Sequence, residues 1–446
     1  MKTIGVNQSG VITSLLVKDH PKWMWYREAI QNAIESTQSY VTAKKIEIPV
    51  DINVRTLDLV DLIQEIKDDN TTYDVFKNKL SFLNYGGMTA TDLIHALKIG
   101  GSGKTSSLNA NYGVGIKTSV LDFSDLLIIT YKEGKAHYAW LGKEYTNGID
   151  FDIVSYSEDE YGNPVEDCTA WVESNAIYRG YDLEHDFTEV IILGKEPNQD
   201  TFKHPFGFGP QGDEVKKVYP NHIKENLCKR YARLPKGIRI RLHPSANTNH
   251  GNSDVVFQTY EEAFECALDN EKIEDKPRKE IVTTDDGIKI HYFFDSPVGE
   301  NYVMSNDNAT LKYLQRTSWQ TSFSGFVWRD EFYDVKTDNT PAWKAVAFRL
   351  GIQDQFKRFR IWVELPDKAV TTDKYRVELQ TESSILKFDD DQTLTMIVAH
   401  MPEWFKEIAD GTKKEVNVNY NDKLTELFAK YQEIDRPING VSNGRS

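Results

Sequence analysis

Glu28, Asn32 and Glu35 stand at i, i+4 and i+7 of the run YREAIQNAIES, residues 26–36. On a helix they share one stripe. Trp25, Ala29, Ile30, Ala33 and Ile34 supply apolar neighbours on either side. A solvated helix face normally mixes signs, with a lysine four residues after a glutamate, and no base shares this stripe. Two readings are open. The row is a half-exposed helix edge, or it is a polar row that needs a partner, for which a metal with phosphates is one candidate.

Two glycine-rich segments follow. FLNYGGMTATDLIHALKIGGSGKTSS covers 82–107 and NANYGVGIKTSVL covers 109–121. Glycines let backbone N–H groups approach a ligand closely, and a helix starting after such a turn favours anions. IGGSGKTS carries the end of a phosphate-binding P-loop signature, but Lys98 stands where that signature needs its first glycine. The preceding stretch 90–99 also reads as helix rather than strand, so a P-loop is rejected.

The order of these pieces is an acid–amide helix, a Gly-Gly-Met-Thr turn and a Gly-x-Gly-x-Lys turn. It resembles the GHKL superfamily of ATPases, which share the Bergerat ATP-binding fold, and is closest to MORC-like and prokaryotic histidine kinase-like ATP-binding proteins. The resemblance implies an α+β chain: a Bergerat sandwich, with a mixed sheet and helices on one face, followed by a transducer-like α/β domain. It implies Mg-dependent ATP binding and hydrolysis, with Glu28 as the base that activates water and Asn32 as the ligand of Mg²⁺. Glu35 supports the nucleotide pocket.

In the same resemblance Gly86, Gly87 and Met88 form the adenine-end turn. The family's aspartate, which accepts the adenine amino hydrogen, is absent. An ungapped alignment puts Leu83 at its position and Tyr85 at the first glycine. One deletion puts Asn84 there, and an asparagine oxygen can still accept. Exchanging a charged acceptor for a neutral one is worth on the order of 1 kcal/mol. Gly113, Gly115 and Lys117 would line the phosphates, within a lid over 98–117. Thr188 in DFTEVIIL matches a motif whose threonine supports adenine, and Lys374 matches a transducer lysine that reaches the γ-phosphate.

Composition limits the remaining possibilities. With 446 residues, 39% hydrophobic and 27% charged, the chain has the make-up of a soluble protein of two or three domains. A net charge of −15 argues against a chain-wide nucleic-acid surface. Two local basic strips remain: Lys229, Arg230, Arg233, Lys236, Arg239 and Arg241, and Lys357, Arg358 and Arg360. They read either as exposed sheet faces or as nucleic-acid tracks. Three widely spaced cysteines show neither zinc spacing nor a disulfide framework. No apolar run reaches the roughly 20 residues of a membrane span, so no membrane partner is expected. The chain reads as cytoplasmic, and His95 as a core residue of an apolar helix.

The pattern predicts a helix over 22–40, strands over 44–54 and 186–193, and a hairpin over 125–142 around Glu133-Gly134. It also predicts helix 221–234 and strands 237–244, 356–365 and 375–380. The expected domains are 1–200 for the ATPase, 201–400 for the transducer-like domain with an insertion at 245–340, and a helical tail 401–446 with a disordered end. The expected function is a nucleotide-gated, ATP-dependent homodimeric clamp acting on nucleic acid or a partner protein. The alternatives are a chaperone-like ATPase and a non-hydrolysing nucleotide sensor.

Overall fold

The computed structural model describes residues 2–3, 24–57, 79–97, 125–145, 151–194, 199–201, 221–242, 255–271, 277–295, 323–337, 341–352, 358–368, 370–372, 378–381 and 384–407. The chain is α+β and divides into two compact units, one taking the described residues up to Ala263 with 372 and 378, the other the rest.

Unit 1 is built on a mixed sheet. Its strands are β1 (Lys2–Thr3), β2 (Val50–Leu57), β3 (Lys79–Tyr85), β4 (Asp125–Lys132), β5 (Lys135–Tyr145), β6 (Phe151–Ser155), β7 (Glu166–Asp167), β8 (Phe187–Gly194), β9 (Ile238–Leu242) and β10 (Val255–Val256). The order is β1-β6-β5-β4-β8-β3-β2-β9-β10, with β7 beside β5. Every pairing is antiparallel except β2 with β9. The hairpin β4–β5 turns at Glu133 and Gly134, both at positive φ, as expected of a two-residue turn matching strand twist.

Alternation sorts the two faces of this sheet. Leu83, Leu127, Ile129, Tyr131 and Ile191 pack with Trp171 and Val172 of helix α3 (Thr169–Arg179). Further along that face Arg239 and Arg241 both donate to Asp51 and stay partly exposed. The opposite face of β2 and β9 carries Val50, Ile52, Val54, Ile238, Ile240 and Leu242, all buried. Helix α1 (Met24–Lys44) packs on β2, β3 and β9 and buries Ala29, Ile30, Ala33 and Ile34. None of these joins the cluster under α3, so α1 covers the apolar face. Helix α3 on the other face departs from the expected arrangement with helices on one face. The remaining helices of this unit are α2 (Ala90–Leu97) and α4 (Asn221–Arg230), and the division at Ala263 falls within α5 (Tyr260–Asp269).

The first unit runs past residue 200. β9 pairs in parallel with β2, from Val50↔Ile238 to Val54↔Leu242, so the first unit continues past that point. Parallel pairing between strands so distant in sequence leaves no local signal.

Unit 2 holds β11 (Arg278–Thr283), β12 (Lys289–Phe294), β13 (Phe323–Trp328), β14 (Glu331–Thr337) and β15 (Phe359–Glu364), ordered β11-β12-β15-β13-β14. Four of these strands lie in 245–340, so that stretch supplies most of this sheet. On one face Tyr292, Phe294, Phe326, Phe359 and Ile361 meet α6 (Pro341–Arg349) and α7 (Asp391–Ala399). On the other, Trp362 is ringed by Phe293, Phe323 and Phe332, the nearest centroid at 4.4 Å. Phe405, in a helical turn at 403–407, joins the first of these cores. The rest of the expected tail lies outside the described residues.

Candidate functional site

Asn84, Thr188 and Thr130 stand in register on the adjacent strands β3, β8 and β4. They form a row of polar side chains across the apolar face. The next row inward is Phe82, Val190 and Ile128, all buried hydrophobics. The row is itself buried, at 6% exposure for Asn84, 7% for Thr188 and 0% for Thr130. Buried polar groups need partners, and these find theirs mainly in the turn that follows β3.

That turn runs through Gly86, Gly87 and Met88. Thr188 Oγ1 donates to the Gly86 carbonyl at 2.8 Å, and the Met88 N–H donates to Thr130 Oγ1 at 2.6 Å. The two hydroxyls lie 3.3 Å apart. Asn84 Nδ2 donates to the Tyr85 carbonyl at 2.7 Å, which fixes the orientation of the amide and leaves Oδ1 as an acceptor. Gly86 adopts φ +96°, and a Cβ on Gly87 would lie 1.9 Å from the Tyr131 carbonyl oxygen. Steric demand alone therefore requires glycine at 87. After the turn, Thr89 and Asp92 form a reciprocal capping box that starts α2, each backbone N–H donating to the other's side chain at 3.1 Å.

Leu83 and Asn84, the two candidates for the aspartate position, point to opposite faces. Leu83 lies in the cluster under α3, whereas Asn84 lies beside Thr188. Asn84, Gly86, Gly87, Met88 and Thr188 are thus brought together.

Helix α1 approaches the turn through Ser36, whose Oγ donates to the Tyr85 carbonyl at 3.1 Å. A Cβ on Gly86 would come within 2.4 Å of that Oγ. Asn32 and Glu28 lie one and two turns toward the helix N-terminus, about 6 and 12 Å along the axis. Glu28 is 4% exposed, and its Oε1 accepts from Arg27 at 2.5 Å. Asn32 is partly exposed. Glu35 is partly exposed and accepts from Gln31 at 2.9 Å.

At the outer end of the turn Tyr40, Tyr85 and His185 group their rings at 5.5 to 6.4 Å. Burial, followed by the charges of Asp182 and Asp51, pushes the Tyr85 hydroxyl up.

Gly113, Gly115, Lys117, the lid at 98–117 and Lys374 fall outside the described residues. Arg358 and Arg360 are 2% and 1% exposed, and Arg360 pairs with the buried Asp295. Those two arginines are interior rather than part of a surface track, and Lys357 lies outside the described residues. In the other strip Arg230 is buried, Arg233 pairs with Glu261 at 2.7 Å, and Arg239 and Arg241 share Asp51. His95 is exposed, not in the core. Among the described residues no group of three His, Cys, Asp or Glu side chains is placed to hold a metal, and no helix is long and apolar enough to cross a membrane.

Thr130 and Ser36 were not legible beforehand. Threonine is ordinary in a strand such as DLLIITYK, and only the register beside Thr188 gives it meaning. No family model matches the chain, and no curated protein matches it.

Proposed function

We propose that this protein is a Mg-dependent ATP-binding and ATP-hydrolysing protein of GHKL type, acting as a dimeric clamp on nucleic acid or a partner complex. The observation that carries the reading is the buried row of Asn84 and Thr188 beside the Gly86-Gly87 turn. That turn is bonded to Ser36 of the helix whose stripe holds Asn32 and Glu28. The base occupies the turn end, with Asn84 Oδ1 accepting from its exocyclic amine. The phosphates extend along α1, where Asn32 offers an amide oxygen to Mg²⁺. A single side-chain oxygen suits that ion, which keeps waters and phosphate oxygens as its other ligands. When bound, the metal offsets phosphate charge.

Glu28 takes a proton from the attacking water. Arg27 engages Oε1 and leaves Oε2 for that task. By the same resemblance Gly113, Gly115 and Lys117 cradle the phosphates, Lys374 reaches the terminal one, and the location is cytoplasmic. The test is steady-state Mg-ATP hydrolysis beside Glu28→Gln. The reading expects turnover reduced by about 10²-fold or more in the variant, and equal rates would contradict it.

A second reading, a nucleotide sensor that does not hydrolyse, is favoured by the neutral Asn84 in place of an aspartate and by the hold of Arg27 on Glu28. It expects ATP binding with no turnover in either protein.

A further inference from the structure

We infer that Thr130 is a positioning residue for the base end of this site: its buried hydroxyl takes the Met88 N–H and abuts Thr188, whose own hydrogen goes to Gly86, so the pair sets the turn and leaves only acceptors for the base. The inference rests on the nucleotide reading above and deepens it.

The backbone partners of the pair fix the direction of its hydrogen bonds. The Met88 N–H can only donate, and Thr130 Oγ1 receives it at 2.6 Å. The Gly86 carbonyl can only accept, and Thr188 Oγ1 supplies it at 2.8 Å. The Thr130 hydrogen is thus directed inward, to Thr188 Oγ1 or the Phe187 carbonyl at 3.3 Å or the Met88 carbonyl at 3.4 Å. In each setting the hydrogen of Thr188 is spent on Gly86, so toward a ligand its oxygen can act only as an acceptor.

Asn84 adds a second acceptor, because its Nδ2 is held by the Tyr85 carbonyl. Two acceptors suit a purine bearing an exocyclic amine and disfavour one bearing an oxo group there, which would leave acceptor against acceptor. Thr130 touches no base in this arrangement. It acts by holding Met88 and Thr188 from the neighbouring strand, with its side chain fully enclosed.

The experiment uses the full chain as wild type, Thr130→Val and Thr130→Ser. Each is titrated with Mg-ATP and Mg-GTP, assayed for turnover at saturating ATP, and followed through thermal unfolding. Thr130→Val keeps the shape and removes the hydroxyl. It is expected to weaken ATP about tenfold while changing GTP little, leaving kcat near wild type. Thr130→Ser is expected to restore ATP affinity.

A Thr130→Val protein that binds ATP as wild type does would overturn the role of Thr130, as would a Thr130→Ser protein as weak as Thr130→Val. So would a loss confined to kcat. Should the valine variant not fold, Thr130→Cys, a weaker acceptor of similar size, carries the same expectations. A wild type that binds neither nucleotide would remove the nucleotide reading itself. ATP binding that is indifferent to Thr130 removes only this inference.

Discussion

Thr188 and Glu189 are successive residues of β8, and they enter environments of different kinds. Glu189 faces the α3 side at 0% exposure and accepts from Arg55 at 2.8 and 3.0 Å, from Ser81 at 2.6 Å and from Tyr181 at 2.6 Å. Its charge is met by a guanidinium and its lone pairs by hydroxyls, so the network closes on itself. Burial and the Glu189 charge hold the Tyr181 hydroxyl well above its ordinary range. Thr188 faces the α1 side, where the row with Asn84 and Thr130 is bonded to the backbone of a turn and ends on an acceptor. A closed network specifies a fold, because every member is satisfied without a ligand. A row that ends on an acceptor at a turn is suited to receive one. Unit 2 also buries an ion pair, Arg360 with Asp295.

The comparison breaks most readily at Glu189. Glu189→Ala leaves Arg55 buried without its carboxylate and is expected to cost about 3–5 kcal/mol of stability, read as an earlier denaturant transition of unit 1. ATP affinity of the molecules that remain folded should not change. A cost below about 1 kcal/mol, or a selective loss of ATP binding, would erase the distinction between the two faces.

A smaller effect sharpens it. Lys79 lies on the same side as Glu189 and donates to the Leu193 and Gln199 carbonyls at 2.7 and 2.6 Å. Burial lowers its pKa from 10.5 to about 8, against the pull of Asp200 and Asp125. Between those values the unfolded chain holds a proton that the folded chain has released, so this lysine makes stability rise as pH increases from about 8 toward 10.5. Below that window both states are protonated and the contribution is flat. Lys79→Met should abolish the rise in a series of urea titrations, and a rise of the same size in the variant would assign it to another group.

The helix carrying Glu28, the hairpin at Glu133-Gly134 and the strand around Thr188 were legible because periodicity and turn chemistry are local. The helix expected at 22–40 spans Met24–Lys44, and β8 follows the expected 186–193 within a residue at each end. What escaped depends on long-range pairing. The union of β2 with β9 carries the first unit past residue 200. The two arginines near 360 read as surface because Asp295, which neutralises one of them, lies 65 residues away. Asn84 was legible through its neighbouring glycines, whereas Thr130 was hidden in an apolar strand until its register became visible.

The central claim is that the row beginning at Asn84 receives a nucleotide rather than merely completing the core. It is tested most directly by titrating Mg-ATP into wild type and Asn84→Leu, with unfolding of both measured alongside. Leucine is close in size and apolar, so it leaves a bound base amine without its acceptor, an effect of about 1–3 kcal/mol. The expected result is ATP binding weakened by about tenfold to a hundredfold with little change in the unfolding of unit 1. Unchanged ATP affinity, or a loss of stability with binding intact, would show that Asn84 serves the fold and not a ligand.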